Sequence, residues 1–162
     1  MMSIRVTGAR EGAARWAQLQ AKLHAQLVAV VHRETLELQR AVVSAKLSGQ
    51  VLHVRSGTLR RSITSHVDES GHTIRGIVGT NVEYAHIHEY GGTLNIPEVR
   101  PVTARALHWV SAGESVFAMR ARAHSVTIPE RSFLRSALAD RAPAIRQAVR
   151  AALLAGVRAG LT

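Results

Sequence analysis

The chain has 162 residues, with 21 Lys+Arg against 11 Asp+Glu and a formal charge of +10, a length that fits one domain. Its hydrophobic content of 46% is that of a globular protein, but only 4% is aromatic, so the core must be built from aliphatic residues. There is no cysteine, which excludes a disulfide scaffold, thiolate metal sites and a cysteine nucleophile; no apolar run approaches a bilayer span or a signal-peptide core, and a soluble protein of a reducing interior is expected.

Alanine divides the chain: of 25 in all, only Ala85 lies between Ala45 and Ala104, where glycine is dense instead. The order helix, strands with turns, helix follows, an α+β fold in a single domain spanning residues 1–162. A first helix is predicted over 11–47. Trp16, Leu19, Leu23, Leu27, Val30, Val31, Leu38, Val42 and Ala45 form one apolar stripe, and Gly49 stands where the helix should stop. At 1.5 Å per residue this helix would be about 55 Å long, beyond the roughly 40 Å diameter of a compact chain of this size. The helix therefore either breaks near His32–Thr35 or has its overhang covered by a second subunit. The second subunit is the favoured reading.

A small antiparallel sheet and a short helix are expected over 51–92. Ile63–Val67 and Thr73–Val78 flank a Glu69-Ser70-Gly71 turn, with Ile74, Gly76 and Val78 on one face. Tyr84–Tyr90 reads as a helical turn closed by Gly91-Gly92. An extended arm is expected over 93–128, with a hairpin from Ala106 to Val126 turning at Ser111–Glu114. Pro97 and Pro101 keep its approach segment from full pairing. Phe117 and Phe133 fall at core-like positions. The C-terminal helices are expected over 129–162: one beginning at Pro129 and a second capped by Asp140, with Pro143 in its first turn.

The chemistry is sparse. His86 and His88 with Glu89 lack the HExxH spacing; on a helix they diverge, whereas on a strand with a third ligand they could hold a metal. The alternative is a histidine pair at a subunit contact beside Tyr84 and Tyr90. No nucleophile–base or paired-carboxylate constellation is visible. Gly91-Gly92 and Ser56-Gly57-Thr58 lack the phosphate-loop spacing, and no cofactor is expected. Arg55, Arg60 and Arg61 cluster before the first hairpin; Arg100, Arg105, Arg120 and Arg122 line the arm; residues 131–162 hold six Arg and one Asp. Without interleaved aromatics or a reading helix, these read as solvated or partner-facing charge before a nucleic-acid site.

Three ordered stretches carry a resemblance. Leu52-His53-Val54-Arg55-Ser56-Gly57-Thr58-Leu59-Arg60-Arg61-Ser62-Ile63 is similar to the V-R-T-G-x-L-R-R-S-I signature of the tail-completion (virion morphogenesis) proteins of long-tailed bacteriophages. Tyr84–Gly92 resembles their Y-A-x-x-H-E-x-G segment, and Ile128–Leu138 their I-P-A-R-P-F-L-x-x-A-L motif. Ser56, Glu130 and Ser132 depart from the usual residues, and the arm resembles an insertion in the Mu-like branch. The resemblance implies a non-enzymatic virion protein at the head–tail junction, present in the host cytoplasm during assembly. It would form a ring, usually of six copies, that completes or terminates the tail and joins it to the head. Implied partners are sister copies and the neck, portal-side and tail-tube proteins, with non-specific DNA contact in the channel and no membrane. Candidate interface residues are Arg60, Arg61, Tyr84, His88, Glu89, Tyr90, Arg105, Arg120 and Arg122; Leu59 and Ile63 are expected to anchor the first strand to the helix. A basic nucleic-acid-binding protein is the alternative from another class, and a metal hydrolase a third.

Overall fold

With no proline before Lys46, nothing in the backbone forces the N-terminal helix to break. The computed structural model describes residues 8–52, 56–71 and 73–161, and in it helix α1 (Ala9–Ala41) runs unbroken for about 50 Å. The alternative break at His32–Thr35 does not form; the Thr35 hydroxyl donates back to Val31 O at 2.7 Å within the continuous helix. The helix ends in a π-helical turn, Val42–Lys46, with Leu47 N donating to Val42 O at 3.0 Å. Residues five apart point to different sides of an α-helix. The wider turn lets Val42 and Leu47 both enter the core, where each is almost fully buried.

Gly57, at φ 72°, opens a helical turn α2 (Thr58–Arg61). Ile63 follows and is buried, and its carbonyl accepts from Gln39 Nε2 of α1 at 2.8 Å. This tie starts strand β1 (Thr64–Ser70), which pairs antiparallel with β2 (Thr73–Gly79) from Thr64 opposite Gly79 to Ser70 opposite Thr73. The expected face of Ile74, Gly76 and Val78 lies on α1. A Cβ at Gly76 would collide with the Thr35 hydroxyl and touch Val31, so the hairpin can approach the helix this closely only at a glycine.

The two expected C-terminal helices are one. Helix α4 (Leu134–Leu161) starts after Phe133 rather than at Pro129, and it carries Pro143 inside. Proline removes a backbone donor and ordinarily breaks a helix. Here the residues just before it are fixed to the first helical segment: Lys46 Nζ meets Asp140 Oδ2 at 2.7 Å and Arg141 Nη2 meets Glu34 Oε2 at 2.9 Å. Asp140, expected as an N-cap, is thus an interhelical tie within a continuous helix. Glu34 is buried and also receives Arg33 at 3.1 Å, so two guanidinium groups balance one desolvated carboxylate.

Further along α4, a Cβ at Gly156 would fall 2.6 Å from Leu23 Cδ1. Helix α4 therefore runs antiparallel to α1 and covers its stripe at Leu23. Leu23→Asp should lower stability by about 2 kcal/mol by placing a carboxylate in that contact. Thermal denaturation measures this, and an unchanged midpoint would mean that the apolar face has been misplaced.

The chain divides into two compact units: these elements form one, and residues Glu83–Ser132 form the other. In the second unit the short helix α3 (Ala85–Tyr90) leads into strand β3 (Gly92–Ile96). β3 pairs antiparallel with the strand over His124–Ile128, from Gly92 opposite Ile128 to Ile96 opposite His124. A single bridge, Val99 to Ala121, carries the pairing past Pro97. The tip is β4 (Leu107–Ser111) against β5 (Glu114–Ala118), which makes His124–Ile128 strand β6. Its two-residue turn has positive φ at both Ala112 (51°) and Gly113 (87°), the hand that suits strand twist. The hairpin expected from Ala106 is therefore the outer part of a longer ribbon rooted at Gly92. Phe133 is fully buried as expected, but Phe117 is 69% exposed on the ribbon tip. Among the described residues, no helix is long and apolar enough to cross a membrane.

Candidate assembly interface

Alternation along β3 and β6 gives the ribbon two unlike faces. Thr93 and Thr127 are cross-strand partners with hydroxyls 3.3 Å apart, and Ser125 donates to Asn95 Oδ1 at 2.8 Å, so one face is polar and internally hydrogen-bonded. Leu94, Ile96 and Val126 occupy the other face, and all three are exposed. The tip continues the exposure with Val110, Phe117 and Met119, where the His108 ring lies 4.7 Å from that of Phe117. A two-stranded ribbon is marginal on its own in water.

Helix α3 sets the ribbon base. The helix sends His86 and His88 in different directions, each toward a tyrosine four residues away: His86 to Tyr90 with ring centroids at 4.8 Å, and His88 edge-on to Tyr84 at 6.0 Å. Both tyrosines are exposed and His88 is half-buried. Glu89 differs from its expected role at an interface. It is 3% exposed, and its Oε1 accepts from the Ser132 hydroxyl at 2.8 Å, so it positions the chain inside its own protomer. Arg131 N donates to His88 O at 2.8 Å, and Gly91, at φ 70°, packs against the backbone of Ile128 and Glu130. The second and third sequence motifs thus meet in one joint that closes the root of the ribbon.

The arginines fall into separate groups. Arg60 and Arg61 lie on α2, both exposed, with Arg61 Nη1 donating to Ser56 O at 3.1 Å; Arg55 lies outside the described residues. Arg120 and Arg100 both reach Glu98, at 3.7 and 2.6 Å, across the thinly paired middle of the ribbon. Arg122 and Arg105 are exposed on the same unit, Arg122 just before β6 and Arg105 just before β4. Between Glu83 and Ser132 there are five Arg and five Glu, so this unit is neutral and the whole +10 belongs to the helical unit. The ribbon's apolar face was missed from sequence although its signal is there: Thr93-Leu94-Asn95-Ile96 and Ser125-Val126-Thr127-Ile128 alternate, but their pairing spans about thirty residues.

The chain belongs to the phage virion morphogenesis family, whose model matches residues 32–154, about three quarters of its length. This is a family of virion structure and assembly. No curated protein and no solved structure matches the chain.

Proposed function

We propose that this protein is a non-catalytic structural component of the phage head–tail junction, where copies form a ring that completes or terminates the tail and joins it to the head. The observation that carries the reading is the exposed apolar face of the Gly92–Ile128 ribbon. The open end of α1 supports it: Trp16 is 66% exposed, and the helix does not fold back to hide it. A ring made by rotation joins unlike patches of neighbouring copies, and a ribbon and a rod are suitable unlike patches. Tyr84, His88 and Tyr90 at the ribbon root, and Arg105, Arg120 and Arg122 along it, are the residues assigned to partner contacts, with Arg60 and Arg61 serving the helical unit. The basic helical unit faces acidic neck proteins or DNA phosphates.

Arg120→Glu tests the ribbon's part. It replaces an exposed ion-pair partner of Glu98, so the free energy of unfolding should change by no more than about 0.5 kcal/mol. Particle completion, scored as infectious titre, should fall. An unchanged titre would remove the ribbon's middle from the interface. The segregation of all net charge into one unit favours a second reading, a free nucleic-acid-binding protein. That reading requires an affinity falling steeply with salt, which a titration of duplex DNA at two salt concentrations measures.

A further inference from the structure

Strand β2 has an unused edge. Among the described residues it pairs with β1 alone. Beside it lies an open groove of about 310 Å³, lined by Leu38 and Val42 of the first helical segment, by Leu134, Arg135 and Leu138 of α4, and by residues 75–78 of β2 itself. An open strand edge above an apolar groove is a template for an added strand, with backbone bonds giving affinity and side chains giving specificity. On the outward face of β2, away from α1, Arg75 and Ile77 alternate with the inward Ile74, Gly76 and Val78.

The ribbon tip has the matching pattern. On β5, Phe117 lies exposed on one face, with the exposed Met119 just beyond the strand end, while Glu114 and Val116 share the other face. Glu114 is the only charged residue between Arg105 and Arg120. A strand laid along β2 with Phe117 turned into the groove necessarily turns Glu114 and Val116 toward the side of Arg75 and Ile77. Apolar meets apolar, and the tip's one carboxylate meets an arginine of the unit that carries the excess positive charge. We infer that β5 of a second copy of this chain adds to the free edge of β2, extending the two-stranded sheet to four strands across the subunit boundary. The contact joins unlike patches, as a ring requires, and the inference rests on the ring reading.

The chain has no cysteine, so two single variants make the test clean. Ile77→Cys and Val116→Cys are purified separately, mixed, allowed to assemble and oxidised, while light scattering records the assembly mass. A disulfide-linked dimer in the mixture, absent from either variant alone, is expected. A full-mass assembly with no such dimer would overturn the β2–β5 contact and leave the ring standing. Monomers throughout would overturn both. A dimer formed by Val116→Cys alone would replace the unlike-patch contact with a like-to-like one and overturn the inference. Charge exchange gives an independent reading: Arg75→Glu or Glu114→Arg should each weaken self-association about tenfold, and the double variant should return to within about threefold of the parent. Equal loss in the double variant would contradict the pairing.

Discussion

Phe133→Ala should lower the free energy of unfolding by about 3–5 kcal/mol, the range for deleting a buried aromatic. The described core of the helical unit is small and almost wholly aliphatic: Val42, Leu47, Leu52, Ile63, Phe133 and Ala137 are its buried apolar members. Phe133 is the one aromatic among them, fully buried, and it immediately precedes α4. Removing its ring leaves a void at a fully buried position. Against a total of about 5–15 kcal/mol for a folded domain, that loss is a large fraction, corresponding to a fall in melting midpoint of about 10 °C or more. Guanidinium titration of Phe133→Ala and Phe133→Leu measures it. The leucine variant should lose less than half as much, and equal stability of Phe133→Ala and the parent would remove Phe133 from the core.

Gly91→Ala should cost about 3 kcal/mol in the ribbon unit. Gly91 sits at φ 70°, ψ −178°, a region that L-residues essentially do not occupy and that costs of order 1–3 kcal/mol where it is forced. A methyl group there would stand 2.8 Å from Glu130 N and 3.1 Å from Ile128 O. Both are backbone atoms, so neither can swing away as a side chain would. Relief requires parting α3 from the strand that closes the ribbon, which loosens the Arg131–His88 and Ser132–Glu89 hydrogen bonds. Because Trp16 and Trp109 lie in different units, Trp109 fluorescence in a Trp16→Phe background reports the loss. Gly79→Ala is the control: no atom lies within 4 Å of its added methyl group, and its φ is not positive, so it should be near neutral. Matching losses in the two variants would show that the joint is not what makes Gly91 necessary.

The elements with local signals were legible in the sequence. The stripe from Trp16 to Ala45 and the absence of proline located α1 to within a few residues at each end, and the glycines at 57, 71 and 91 punctuated the chain where φ is positive. Three features escaped because their causes are not local. Helix α4 continues through Pro143 with Asp140 and Arg141 tied by ion pairs to Lys46 and Glu34, about a hundred residues away in sequence. The β3–β6 ladder is set by register between distant strands. Glu89 looked like surface chemistry beside two histidines, yet its partner is Ser132, forty-three residues later. That pairing gives the second and third motifs a common physical reason: together they form one joint.

The central claim is that a lone copy leaves apolar surface open and that sister copies around an axis cover it. Electron cryomicroscopy of the particle neck, with this chain traced in the density, tests it most directly. A closed ring of this chain between head and tail tube is expected, with the Leu94–Ile96–Val126 face buried against a neighbouring subunit. Copies that stand apart at the neck with that face in solvent, or particles that lack the chain altogether, would contradict it.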